Sequence, residues 1–199
     1  MTLIMIILRG KNPYYCHMKS LIPLLCILLS AFYSTAQRDR PLTFNELDKS
    51  PLDVVMYRDA NKIAIARVIY SRPSKKDREI FGKLVPYDQI WRTGANEATE
   101  IAFYKDVMID NQLVKAGSYS IYTIPGENQW SFILNTATTQ SGTEHDPQKD
   151  ILKATMDIIP SPKEIESFSI SFLEQKEGAI LFLGWEETIA SLEFTIVSF

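Results

Sequence analysis

Short apolar stretches separated by turn residues run through most of the chain. Residues 63–71 place isoleucines on one face of a strand and mainly Ala, Val and Tyr on the other, which predicts a strand buried on both sides. The clearest hairpin joins 118–123 to 130–135, because both alternate in polarity and Pro125–Gln129 between them is rich in turn residues.

The same pattern predicts an all-β protein. Further strands are expected at 101–104, 107–109, 112–114, 151–159, 168–172, 179–185 and 192–196. A helical period of about 3.6 residues does not persist over three turns anywhere, and only Pro162–Ile165 could form a short helical turn. About nine or ten short strands with turns between them predict a single-domain antiparallel β-sandwich over residues 51–199.

The first 36 residues have the features of a secretory signal peptide. Met18-Lys19 gives a basic start, 21–31 is almost wholly apolar, and Ser34-Thr35-Ala36 supplies small residues before Gln37. The apolar stretch of about a dozen residues is too short for a bilayer of about 30 Å, so no retained transmembrane helix is expected. Translation could start at Met18. Residues 37–50 are predicted to be a flexible tether, and the mature protein is expected in the periplasm or outside the cell.

Signal removal would change the charge and cysteine content. The chain has 21 basic and 24 acidic residues, and the signal contains Arg9, Lys11 and Lys19 but no acid, so 18 and 24 would remain. Both cysteines, Cys16 and Cys26, lie in the signal. The exported protein would therefore have no disulfide, thiol nucleophile or cysteine metal site. Net acidity and export argue against a nucleic-acid partner.

Basic residues are concentrated in the first part of the mature chain. Residues 38–92 contain 12 basic and 8 acidic residues, whereas 93–199 contain 6 and 16. The local basic cluster consists of Arg72, Lys75, Lys76, Arg78 and Lys83. It is either a solvated loop or a surface that attracts an anionic ligand.

The segment Trp91–Thr99 combines an aromatic ring, a guanidinium, a glycine, an amide and a carboxylate. Arg92, Asn96 and Glu97 could form an anion or polyol site. Alternatively, Arg92 could pair with Glu97 or Glu100 as a structural ion pair. Gly94 with Asn96 also suits a tight turn.

Several motifs together resemble the DUF2911 family, whose function is unassigned. They are Ser71-Arg72-Pro73-Ser74, 78–82, Leu84-Val85-Pro86-Tyr87, 91–99, Lys115–Tyr119, Tyr122–Gly126 and Trp130–Asn135. The resemblance spans about Ser50 to Ile196 and implies an exported bacterial protein with one β-rich domain. It implies no catalytic residues. Family members tend to carry a Trp-Gly and a Tyr where this chain has Gln140–His145.

The remaining candidate groups give weaker signals. His145 is the only histidine after processing, and it is expected to be exposed in a loop, since a metal site needs more nitrogen or sulfur ligands. Most aromatic residues are expected in the core, although exposed rings such as Tyr122 could stack on a sugar or grip a peptide. Arg72 and Tyr122 therefore join Arg92, Asn96 and Glu97 as candidate ligand-binding residues.

These observations favour a non-catalytic domain that binds a small molecule, a glycan or an envelope protein, without metal or cofactor. A hydrolase of envelope or polysaccharide polymers is the alternative, with Glu97 acting beside Asp146 or His145. A pure assembly module would instead show an exposed apolar face or an unpaired edge strand.

Overall fold

The computed structural model describes residues 42–197, and the elements below all lie in the compact unit that begins at Leu47. The predicted signal peptide and residues 37–41 of the predicted tether fall outside the described residues. Residues 42–48 are exposed and have no regular secondary structure. Within the described part of the chain, no helix is long and apolar enough to span a membrane.

Nine strands form one antiparallel sheet in the order β1-β2-β3-β6-β7-β8-β9-β4-β5. The strands are β1 Leu52–Arg58, β2 Ala64–Ser71, β3 Ala95–Phe103, β4 Val107–Ile109, β5 Gln112–Val114, β6 Gly117–Ile124, β7 Gln129–Asn135, β8 Asp150–Gln175 and β9 Gly178–Ile196. A single 3-10 turn, Pro147–Lys149, precedes β8. The all-β prediction is confirmed. The two separate sheets of a sandwich are not confirmed, because all nine strands belong to one hydrogen-bonded sheet.

Two strands are much longer than the pattern predicted. β8 has 26 residues and β9 has 19, and each joins two segments that were predicted as separate strands. The short helical turn that the pattern allowed at Pro162–Ile165 does not form, because these residues belong to β8. The register between β8 and β9 shifts on both sides of Ile165, and such irregular pairing accommodates prolines that cannot donate to a ladder.

The sheet curls so that β2 packs against the second half of β8. No residue of β2 is exposed, as its two-sided apolar pattern predicted. The Tyr70 hydroxyl accepts a hydrogen bond from the Ile170 N–H at 3.0 Å. The Pro73 carbonyl accepts one from the Phe168 N–H, also at 3.0 Å. These bonds hold the start of the long connection 72–94 against the second half of β8.

Phe81 anchors this connection in an aromatic cluster. Its ring centroid lies 4.8 Å from Trp130, 6.1 Å from Trp91 and 6.3 Å from Trp185. These are the three tryptophans of the chain. The Glu186 carboxylate accepts hydrogen bonds from the backbone N–H groups of Ile80 and Phe81 at 3.3–3.4 Å. Burial of Phe81 thus sets the position of the connection that carries much of the site.

We expect Phe81→Ala to lower the free energy of unfolding by about 3–5 kcal/mol, as for other buried aromatic truncations. The tryptophan emission of the folded protein should also shift to longer wavelength, because all three indoles border the new void. Phe172→Ala is the matched control, since Phe172 packs on Tyr57 and Phe194. It should lower stability without moving the emission. An unchanged emission in Phe81→Ala would contradict the assignment of Phe81 as the centre of this cluster.

Candidate functional site

A cavity of about 630 Å³ lies where the connection 72–94, the loop 136–149 and the ends of several strands meet. Trp91 and Trp185 form part of its wall and stack with centroids 5.9 Å apart. The volume falls within the range of about 300–1,000 Å³ that is typical of small-molecule sites.

Four cationic side chains line this cavity, namely those of Lys49, Lys76, Arg78 and Arg92. No Asp or Glu of the described chain lines it. None of the four has a described carboxylate within the 4.0 Å ion-pair distance. Because a concave surface with charges of one sign concentrates the electrostatic field, the cavity favours anions in spite of the acidic composition.

Arg92 is held by the backbone of its own turn. Its Nε donates to the Gly94 carbonyl at 3.4 Å and its Nη1 to the Asn96 carbonyl at 3.1 Å. Its Nη2 makes no hydrogen bond to a described residue. Gly142 packs directly on the side chain, since an added Cβ there would lie 2.5 Å from Arg92 Cδ and 2.8 Å from the Asn96 carbonyl. The loop 136–149 therefore fixes the guanidinium at the cavity, and only glycine fits at this contact.

The Arg92 turn depends on backbone conformations that most residues avoid. Thr93 and Asn96 both have left-handed φ values, +57° and +58°. Buried threonine hydroxyls stabilise the turn, because Thr99 Oγ1 donates to the Thr93 carbonyl at 2.6 Å and the hydroxyls of Thr93 and Thr123 lie 3.0 Å apart. The predicted tight turn at Gly94 and Asn96 is therefore present.

Asn96 links the turn to the residues before β1. Its side-chain amide donates to Asp48 Oδ1 at 3.1 Å. Hydrogen bonds from the Ser50 N–H and the Asn96 amide hold the pKa of Asp48 below its usual value. Asn96 lines the cavity, and its bond to Asp48 holds the adjacent residues Lys49 and Ser50 at the rim.

His145 is not the exposed loop residue that was predicted. Its side chain is 15% exposed, and Nε2 lies 2.9 and 3.1 Å from the two carboxylate oxygens of Asp150. Asp150 also accepts from the buried Asn135 amide at 2.7 Å. The prediction failed because Asp150, five residues later, folds back to the ring. No described hydroxyl is hydrogen-bonded to the imidazole, so a serine triad is not assembled among residues 42–197.

Tyr122 lies beneath His145, with ring centroids 4.7 Å apart. It lines the cavity but is only 1% exposed. Its hydroxyl donates to the Glu144 carbonyl and accepts from the Gln140 amide. Tyr122 is therefore a support for the loop 136–149, and its ring is not an open stacking surface.

Glu97 lies away from this cavity. It is exposed, and together with Glu100 it lines a separate cavity of about 180 Å³. Neither carboxylate is within ion-pair distance of Arg92, so the predicted Arg92 ion pair is wrong. The loop 136–149 fills the space beside Arg92, since Ser141 pairs with the backbone of Glu97. Glu97 does not share a cavity with Asp146 or His145.

Arg72 is engaged in the curled sheet and does not line the cavity. Its Nη1 bonds to Asp53 at 3.1 Å, Nε to the Phe168 carbonyl at 3.1 Å and Nη2 to Ser169 Oγ at 2.7 Å. Of the other members of the basic cluster, Lys75 pairs with Glu164 at 3.5 Å, and Lys83 is exposed outside the cavity. Only Lys76 and Arg78 of that cluster reach the cavity.

Several lining residues were not identified from the sequence. Lys49 fell within the predicted tether, Gly142 within a polar loop, and Trp185 within a predicted strand. Their role depends on contacts between distant segments, which no local pattern contains. Among residues 42–197, no cluster of three or more His, Cys, Asp or Glu side chains could hold a metal ion.

The family described as a protein of unknown function, DUF2911, matches residues 50–194. The chain belongs to the DUF2911 family. The match begins before β1 and ends within β9, so it includes every residue of the cavity except Lys49. No curated protein and no solved structure matches the chain. Membership in DUF2911 therefore identifies the family of residues 50–194 but assigns neither a ligand nor a reaction.

The two arginines should differ in their effect on stability. We expect Arg72→Ala to lower the free energy of unfolding by about 2 kcal/mol, because it breaks hydrogen bonds of a charged group to three residues. Arg92→Ala should cost less, about 1 kcal/mol, since Arg92 has two hydrogen bonds, one of them 3.4 Å long, and no described carboxylate partner. Chemical denaturation of both variants measures the difference. An equal or larger loss in Arg92→Ala would show that Arg92 is a structural residue.

Proposed function

We propose that this DUF2911 domain is a non-catalytic binding protein that takes a small anionic ligand into the cavity beside Arg92. The observation that supports this most strongly is the set of four cations in one cavity without a described carboxylate partner. Arg92 is the central donor, because its guanidinium is fixed from two sides and Nη2 remains available. A planar guanidinium suits carboxylate, sulfate and phosphate groups alike.

Two observations support binding over the hydrolase alternative. No described hydroxyl is hydrogen-bonded to the His145 imidazole, whose Nε2 is bonded to Asp150, and the Tyr122 hydroxyl is bonded to the Glu144 carbonyl and the Gln140 amide. The hydrolase alternative would need Glu97 and a second acid beside a cleft. Glu97 and Glu100 line only the cavity of about 180 Å³, smaller than the roughly 300 Å³ at which ligand sites begin. We therefore favour a small anion over a polymer substrate.

Titration of the folded domain with sodium sulfate, phosphate and acetate tests this proposal. Binding should quench or shift tryptophan emission, since Trp91 and Trp185 line the cavity. Arg92→Ala should weaken binding about 10- to 100-fold, the equivalent of a hydrogen bond to a charged group. Lys153→Ala is the matched control, because this exposed lysine of β8 lies outside the cavity. Equal weakening in both variants would mean that only overall charge matters.

Gly142→Ala provides a test that removes no charge. The added methyl would collide with the Arg92 side chain, so the guanidinium would have to move. We expect anion affinity to fall several-fold while the net charge stays the same. Wild-type affinity in Gly142→Ala together with wild-type affinity in Arg92→Ala would overturn the proposed site.

We further propose that the domain acts outside the cytoplasm. The support is the basic start, the apolar stretch and the small residues before Gln37. Expression of the full chain in a Gram-negative host should give a processed protein that starts at Gln37 in the periplasm or the medium, as N-terminal sequencing would show. Ala36→Lys should block processing. A cytoplasmic protein that keeps Met1 or Met18 would contradict the proposal.

A further inference from the structure

The cavity has an aliphatic side in addition to its cations. Leu84 is 46% exposed and Ile90 is 44% exposed, and both line the cavity together with Pro86. These residues do not anchor the connection 72–94. That role belongs to Ile80, Phe81 and Val85, which are nearly inaccessible. The exposed aliphatic groups therefore form an apolar surface at the cavity, and packing of the hydrophobic core does not require them to be apolar.

The aromatic residues of the cavity are exposed to a smaller fraction than Leu84 and Ile90. Trp185 and Tyr122 are 2% and 1% exposed, and Trp91 is half-buried in the cluster around Phe81. Stacking on a sugar needs an open ring face. Contact with an alkyl or aryl group needs only apolar surface removed from water. The lining thus favours an apolar group over a sugar ring.

This inference rests on the proposed anion site. We propose that the ligand is an amphipathic anion, with its carboxylate, sulfate or phosphate group at Arg92 and its alkyl or aryl part against Leu84, Pro86 and Ile90. The cavity of about 630 Å³ has room for both parts. Cationic groups and aliphatic groups in one cavity match the two ends of such a molecule.

Calorimetric titration with acetate, hexanoate, octanoate and decanoate, each kept below its micelle concentration, tests the apolar contact. Affinity should rise by up to about fourfold for each added methylene that becomes buried, the equivalent of about 0.8 kcal/mol. Octyl sulfate should bind at least tenfold more tightly than octyl glucoside, which has the same chain and no charge.

Variants separate the two ends of the ligand. Leu84→Ser and Ile90→Ser should flatten the dependence on chain length and leave acetate affinity unchanged. Leu113→Ser is the matched control, because this leucine of β5 is 51% exposed and lies outside the cavity. Arg92→Ala should weaken the anions of all chain lengths by the same factor.

The possible outcomes distinguish this inference from the function on which it rests. Arg92-dependent binding that is equal for acetate and octanoate would overturn the amphipathic ligand and keep the anion site. Absence of binding by every anion would overturn the anion site itself. Sedimentation with phosphatidylglycerol vesicles, without binding of monomeric decanoate or octyl sulfate, would overturn the inference in favour of a membrane surface.

Discussion

The site depends first on the insertion of Phe81 between the three tryptophans. Backbone hydrogen bonds fix both ends of the connection 72–94, at Pro73 with Phe168 and at Trp91 with Thr123, and Phe81 is its largest side chain in the core. With Phe81 inserted, Trp91 is held against Trp185, and the chain enters the Arg92 turn at a defined position. A hydrophobic anchor therefore determines where a charged group lies, which is a common way for a rigid scaffold to place functional loops.

The second constraint is the closing of the Arg92 turn by the loop 136–149. The backbone of Ser141 pairs with Glu97, Gly142 packs on Arg92, and the hydrogen bond between His145 and Asp150 holds the end of the loop. Each of these contacts involves only one or two residues, but together they restrict the position of the Arg92 guanidinium. A donor that is already ordered loses less conformational entropy when a ligand binds, so this packing favours affinity as well as geometry.

Local sequence patterns predicted most of the strands but only some of the residues that line the cavity. The hairpin of β6 and β7 was predictable because alternation and turn residues lie within about 20 consecutive positions. β1 was missed because its alternation is reversed: the apolar Leu52, Val54 and Met56 are exposed, and the less exposed face includes the charged Asp53. The sandwich was expected because the interruptions of the apolar pattern within β8 and β9 look like strand ends in the sequence. Pro160 and Pro162 interrupt β8, and Glu186 and Glu187 interrupt β9, yet each segment is a single strand.

The two arginines show why site residues are harder to predict than strands. Arg72 and Arg92 were both candidate ligand-binding residues, and for Arg92 a structural ion pair was the alternative. Arg72 meets Asp53 and the residues Phe168 and Ser169, almost a hundred positions later. Among the described residues, Arg92 donates hydrogen bonds only to carbonyl groups of its own turn, and Gly142 packs on its side chain. A guanidinium that the fold has paired with a carboxylate is a poor anion receptor, because binding would have to break that pair. The two arginines therefore differ in their long-range pairing, which joins Arg72 to a carboxylate and gives Arg92 no carboxylate partner among the described residues.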